Sequence, residues 1–203
     1  MPPASCYATG VEALELVSYR RAVADLYGRA RAEAAADPEG AWLRWRTARD
    51  ELFAQHPQSP VPAAARAGFT GMAFHPYDHR WRLEVEVEPL EAAAVSAGVA
   101  HSGATASAWR PVGRVCLGGP GEGGTLTLLW LTTYGGGRYL LDTVKGADLG
   151  CPPGQGRRLV VDANYAYHPS CAHDPRWSCP LAPPENRLPV AVEAGELLPD
   201  HGG

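Results

Sequence analysis

RWRLEVEVE, residues 80–88, alternates without a break: Trp81, Leu83, Val85 and Val87 are apolar, and Arg80, Arg82, Glu84, Glu86 and Glu88 are charged. Successive side chains of an extended chain point to opposite faces, so one face of this segment is buried and the other is wet. A parallel strand, covered on both faces, reads as a continuous apolar run, and the alternation therefore argues for an antiparallel sheet. Before it, GFTGMAFHPYDH (68–79) reads as a short strand and a turn. After it, further strands are expected near 95–101, 111–118, 124–132, 137–145, 157–163 and 188–193, separated by turn-forming runs such as GGPGEGG (118–124) and GCPPGQG (150–156). About eight short strands with no helix between them predict a mainly β, α+β fold: an antiparallel barrel or rolled sandwich.

Two helices precede that sheet. Thr9 and Glu12 have the spacing of a capping box, and Leu16, Tyr19, Val23, Leu26 and Ala30 recur along one helical face. Asp37 followed by Pro38 marks a second start, since a carboxylate can accept from free N–H groups and proline is tolerated in the first turn. Trp42, Trp45, Ala48 and Leu52 line one side of this helix, and Arg44, Arg46, Arg49, Asp50 and Glu51 are assigned to the other sides. The division is a helical pair with its connector over 1–67, a β-rich domain with a C-terminal clasp over 68–198, and a frayed tail over 199–203.

The totals set outer bounds. A chain of 203 residues, 45% hydrophobic, builds one sizeable core. Its 18 basic and 22 acidic residues leave a net charge of -4, which lacks the positive footprint of a nucleic-acid binder. No leader pattern and no stretch of 18 apolar residues is visible, so a cytoplasmic protein without a membrane span is expected. The odd set Cys6, Cys116, Cys151, Cys171 and Cys179 suits a reducing compartment.

Residues 162–196, DANYAYHPSCAHDPRWSCPLAPPENRLPVAVEAGE, form the clasp, with two cysteines, two histidines and six prolines. An irregular segment of that length stays ordered only if side chains anchor it, at about 1–2 kcal/mol of backbone entropy per residue. Together with YGGGRYLLD (134–142) and FHPYDHRWRLE (74–84), VVDANYAYHPSCAH (160–173) and CPLAPPENRLPVAVEAGE (179–196) resemble the family catalogued as domain of unknown function 1684. The resemblance implies a largely bacterial family without an established activity. It also implies that the family has asparagine, proline and tyrosine where this chain has His168, Ser170 and His173, and that Leu141 is an added residue before Asp142.

His168, Cys171, His173 and Cys179 are of ligand types that suit tetrahedral zinc, but their spacing matches neither paired CxxC nor two-histidine patterns, so no metal or other cofactor is expected. A Cys171–Cys179 bridge would add roughly 2.5 kcal/mol by the chain-entropy estimate, in an oxidising setting only. Gly135, Gly136 and Gly137 read as a hairpin rather than a phosphate loop, because a strand-like segment follows. Arg138 behind them needs a partner if it points inward, with Asp142, Asp162, Glu185 and Glu196 as candidates. The leading expectation is a domain that binds a small polar or anionic molecule in a pocket bordered by Arg138, Tyr139, Asp162, Asn164, Tyr165, Glu185 and Asn186. The alternatives are an enzyme with Asp162 or Glu185 as general base and Arg138 as anion clamp, and a structural protein whose clasp closes the sheet.

Overall fold

The computed structural model describes residues 10–90, 97–100, 106–130, 138–142, 145–152, 154–177 and 186–198. Helix α1 spans Gly10–Glu33 and α2 spans Pro38–Gln55. Asp37 caps α2, its carboxylate accepting from the Gly40 N–H at 3.0 Å. A Cβ on Gly40 would lie 1.9 Å from Asp37 Oδ2, so a larger residue there would push the capping carboxylate aside. Arg44 Nε donates to Glu33 at 2.5 Å and its Nη2 to Asp37 at 3.2 Å, fixing the corner between the helices. Thr9, the expected cap of α1, lies outside the described residues.

Strand β1, Arg82–Glu86, pairs antiparallel with β6, Arg158–Asp162, in the register Arg82↔Asp162 to Glu86↔Arg158. The alternating segment thus forms the antiparallel pairing its pattern demands, although its first turn, His79–Trp81, is a 3-10 helix. A second sheet is built on the long β4, Ala106–Cys116, which pairs with β2 (Glu88–Pro89), β3 (Ala97–Ala100) and β5 (Thr125–Trp130). A register shift between Pro111 and Gly113 absorbs the proline that cannot donate to the ladder.

Among the described residues there are two small sheets, of two and four strands, and no path closes them into a ring. The expected eight-stranded barrel or rolled sandwich is therefore wrong. Alternation reports that one face is covered without saying by what, and here Val85 is covered by Val115, Leu117 and Leu126 of the second sheet and its flank, with Leu140 and Leu188 beside them. The described part of 137–145 contributes only isolated bridges, Tyr139↔Tyr167 and Asp142↔Ala147, and the described residues 188–193 are not strand. In the C-terminal strap, residues 186–198, Glu196 is the one described residue that bridges, to Phe74.

The largest buried cluster joins the helices to the segments after the strands: Tyr19, Val23, Leu26 and Tyr27 of α1 and Trp42, Trp45 and Phe53 of α2 pack with Ala147, Leu149, Tyr165 and Tyr167. Trp45 is its hub, 4.8 Å from the Tyr165 ring and 5.6 Å from Tyr27. A smaller cluster of Val85, Val115, Leu117 and Val161 covers the β1–β6 ladder. Among the described residues no helix is long and apolar enough to cross a membrane.

Candidate functional site

Asp162 ends β6 and caps the 3-10 turn Ala163–Tyr165, so Asn164 and Tyr165 leave the alternation of a continuing strand. Asp162 Oδ1 accepts from Asn164 Nδ2 at 2.7 Å and from its N–H at 3.0 Å, while Oδ2 accepts from the Tyr77 hydroxyl at 3.2 Å and Arg82 at 3.4 Å. Asn164 then returns to the 74–84 element: its Oδ1 accepts from the Asp78 N–H and its Nδ2 donates to the Asp78 carbonyl, both at 2.9 Å. Its own carbonyl accepts from Trp42 Nε1 at 2.8 Å, which ties the node to α2. Burial pushes the Asp162 carboxyl above its ordinary value in spite of these donors. Two of the expected site residues thus meet, and their bonding capacity is directed at neighbouring protein groups. Tyr165 adjoins them, buried against Trp45.

The other expected site residues lie on separate contacts. Arg138 donates to the carbonyls of Ala194 and Val192, the latter at 2.9 Å, holding the C-terminal strap by its backbone. No hydrogen bond or ion pair joins Arg138 to Asp162 among the described residues. Tyr139 exchanges backbone hydrogen bonds with Tyr167 at 2.8 and 3.1 Å, with the two rings edge to face at 5.7 Å. Asn186 closes on β5, accepting from the Thr127 N–H at 2.8 Å and donating to the Thr127 carbonyl at 3.2 Å. Glu185, Cys179 and the glycine triplet lie outside the described residues. Cys171 is a half-buried free thiol, and no group of three metal-ligating side chains is gathered among the described residues.

The chemistry concentrates elsewhere, on Arg49. This side of α2 faces inward, leaving the residue 5% exposed with its guanidinium 4.3 Å from the Phe53 ring centre and 5.3 Å from that of Tyr167. Nη2 donates to Glu196 Oε2 at 2.8 Å, and Nη1 is buried with no hydrogen-bond partner among the described residues. Glu196 is 1% exposed. Its Oε2 also accepts from the His168 N–H at 3.2 Å, and its Oε1 lies 3.4 Å from His173 Nε2. Burial raises the Glu196 pKa, but the Arg49 charge and the imidazoles outweigh it and hold the carboxyl below its usual range. Burial also dominates at His168, whose pKa falls below the ordinary imidazole value.

Gly195 sets Glu196 in place. Its φ of +82° is left-handed, and a Cβ there would lie 2.7 Å from the carbonyl oxygens of both Ala163 and Ala166. Glu196 N–H then donates to the Ala166 carbonyl at 2.8 Å, and its side chain turns inward. Beside Arg49 is a cavity of about 30 Å³, walled by Tyr19 and Tyr27 of α1, Phe53, Lys145, Tyr167 and His168. That is room for about two waters at roughly 10–15 Å³ each. Lys145 Nζ stands 3.0 Å from the buried Asp142, adding a second cation and a second carboxylate.

The sequence pattern assigns Arg49 to the sides of α2 away from Trp42, Trp45, Ala48 and Leu52. The signal against that was in the spacing: Arg49 falls four residues after Trp45 and four before Phe53, in the middle of the apolar stripe.

Residues 130–197 match the family model described as protein of unknown function, DUF1684. The resemblance of the C-terminal motifs holds over this stretch. It takes in Arg138, Asp142, Asp162, Asn164, His168 and Glu196, while Arg49 and both helices lie outside it. The chain is also similar to an uncharacterized protein of Haloarcula marismortui solved by solution NMR, at 26% identity and a TM-score of 0.55, over 83% of this chain and 99% of that one. No curated protein matches the chain.

Proposed function

We propose that this protein binds a small polar or anionic molecule, and that the binding group is Arg49 at the cavity between the helical pair and the clasp. One observation carries the reading: a guanidinium buried to 5% exposure keeps an unpartnered Nη1 among the described residues and lines a cavity. A buried donor left without an acceptor costs about 1–3 kcal/mol, more when it is charged, so an acceptor supplied by a ligand recovers that cost. The planar fork of arginine favours a carboxylate or similar oxyanion. Free thiols at Cys116, Cys151 and Cys171 agree with a cytoplasmic setting, and neither nucleic acid nor membrane enters this reading.

The test is a thermal-shift series with formate, acetate and glycolate on wild type and Arg49→Lys, a change that keeps the charge and removes the fork. A ligand at 100 times its dissociation constant stabilises by about 2.7 kcal/mol, which raises Tm by about 5–11 °C for a chain of this size. Wild type should shift and the variant should not. Equal shifts in both, or none in wild type, would sink the reading.

A further inference from the structure

Resting on that reading, we infer that Trp45 is the second residue of the site, and that its Nε1 and Arg49 Nη1 together hold one small monocarboxylate. Trp45 and Arg49 stand four residues apart on α2, so both side chains leave the same face of the helix. Both line the cavity. Trp45 is 2% exposed, and its indole Nε1, like Arg49 Nη1, is buried with no hydrogen-bond partner among the described residues. The guanidinium carbon lies 5.5 Å from the centre of the Trp45 ring. One small oxyanion spans that interval with two N–H···O bonds of about 2.9 Å each. Trp42, three residues earlier, shows the ordinary state of a buried indole, its Nε1 donating to the Asn164 carbonyl at 2.8 Å.

Charge selects the acceptor. Around the cavity Arg49, Lys145 and Arg138 are cations, and Glu196 and Asp142 are anions. Asp50 and Arg46, near Arg49 on α2, add one charge of each sign. Three cations against two carboxylates leave one positive charge before either imidazole is counted. The carbonyls of Ala194 and Val192 hold Arg138 without neutralising it, and its field reaches Glu196. Water in the cavity would satisfy the two donors and leave that charge uncompensated in a low dielectric, which is costly. A monoanion satisfies the donors and the charge together, with no proton required. A dianion such as sulfate would overshoot the balance. The volume limits the ligand to a carboxylate with a short chain, for which Leu26, Leu52 and Phe53 supply an apolar wall.

The experiment is titration of the whole chain with sodium formate and sodium acetate, followed by calorimetry and by the assigned indole N–H resonances in NMR spectra. The Trp45 indole proton should move downfield and saturate with the calorimetric dissociation constant. Trp42, already bonded, and Trp177, which does not line the cavity, should stay in place. Trp45→Phe keeps an aromatic ring, removes the N–H and should weaken acetate binding about 10- to 150-fold, the worth of a hydrogen bond to a charged group. Sodium sulfate at equal ionic strength should leave the Trp45 resonance unmoved. Acetate binding that Arg49→Lys abolishes, with the wild-type Trp45 resonance still through saturation, would overturn this inference and leave the Arg49 reading intact. A folded Trp45→Phe that binds acetate as wild type does would have the same consequence. Where that variant does not fold, the wild-type resonance decides alone. Sulfate binding as tightly as acetate would overturn the choice of a monoanion, and no binding of either carboxylate would overturn both readings.

Discussion

Replacing Arg49 with Met asks how much the fold depends on the buried pair. The variant leaves Glu196, with a side chain exposed by 0%, facing the His168 N–H at 3.2 Å and His173 at 3.4 Å, with no guanidinium. Breaking a buried pair from one side costs about 3–5 kcal/mol, because the remaining charge is uncompensated. The rings of Phe53 and Tyr167 lose a cation, but a thioether keeps favourable contact with them at about 0.3–1.5 kcal/mol, so this part nearly cancels. The expected loss near pH 7 is thus about 3–5 kcal/mol, or about 6–20 °C in Tm. Arg49→Met/Glu196→Met removes both charges and should recover to within about 2 kcal/mol of wild type, since a buried pair exchanged for apolar groups is often neutral. Urea denaturation of the four proteins gives the coupling directly. The deficit of the single variant should shrink toward acid pH, where its Glu196 protonates and no longer needs a counter-charge. A single-variant loss under about 1 kcal/mol, or a double variant no more stable than Arg49→Met, would refute the assignment of this pair as the centre of the clasp.

Glu196 has a folded pKa below its ordinary 4.5, so it contributes stability above pH 4.5 that is lost as pH falls through the folded value. Glu196→Gln should flatten that limb of the stability profile in pH-jump denaturation, leaving the opposite trend from Asp162, whose pKa is raised and whose penalty eases on acidification. Asn164→Ala removes three side-chain hydrogen bonds between β6, the 74–84 element and Asp162, and should cost about 3 kcal/mol by chemical denaturation. Gly195→Ala combines a left-handed backbone with a Cβ 2.7 Å from two carbonyls and should cost about 2–4 kcal/mol, with anion binding weakened because Glu196 is displaced. If Gly195→Ala melts like wild type, the strap is not held as described.

Much of the local structure is legible in the chain. The Asp37–Pro38 start becomes the cap of α2, and the period of Tyr19, Val23, Leu26 and Ala30 becomes the buried stripe of α1. RWRLEVEVE forms an antiparallel strand against 158–162. The number of strands failed because turn-bounded apolar runs look alike whether they pair or merely pack. Residues 188–193 carry such a run but form no ladder, and the Val192 carbonyl accepts from Arg138 instead. The site was half legible: the clasp and Glu196 were in view, but Arg49 lies more than 140 positions away from Glu196 and outside the DUF1684 match.

By itself, then, the sequence determined the helices, the cap of α2, the antiparallel sense of the alternating strand and the importance of the segment 162–196, because each is encoded by neighbours a few residues apart. Only the tertiary structure decided that two small sheets stay open, that the helical pair shares its core with the clasp, and that Arg49 meets Glu196 inside it. Those outcomes depend on contacts between distant parts of the chain, where burial and charge compensation are settled jointly and no local pattern records the partner.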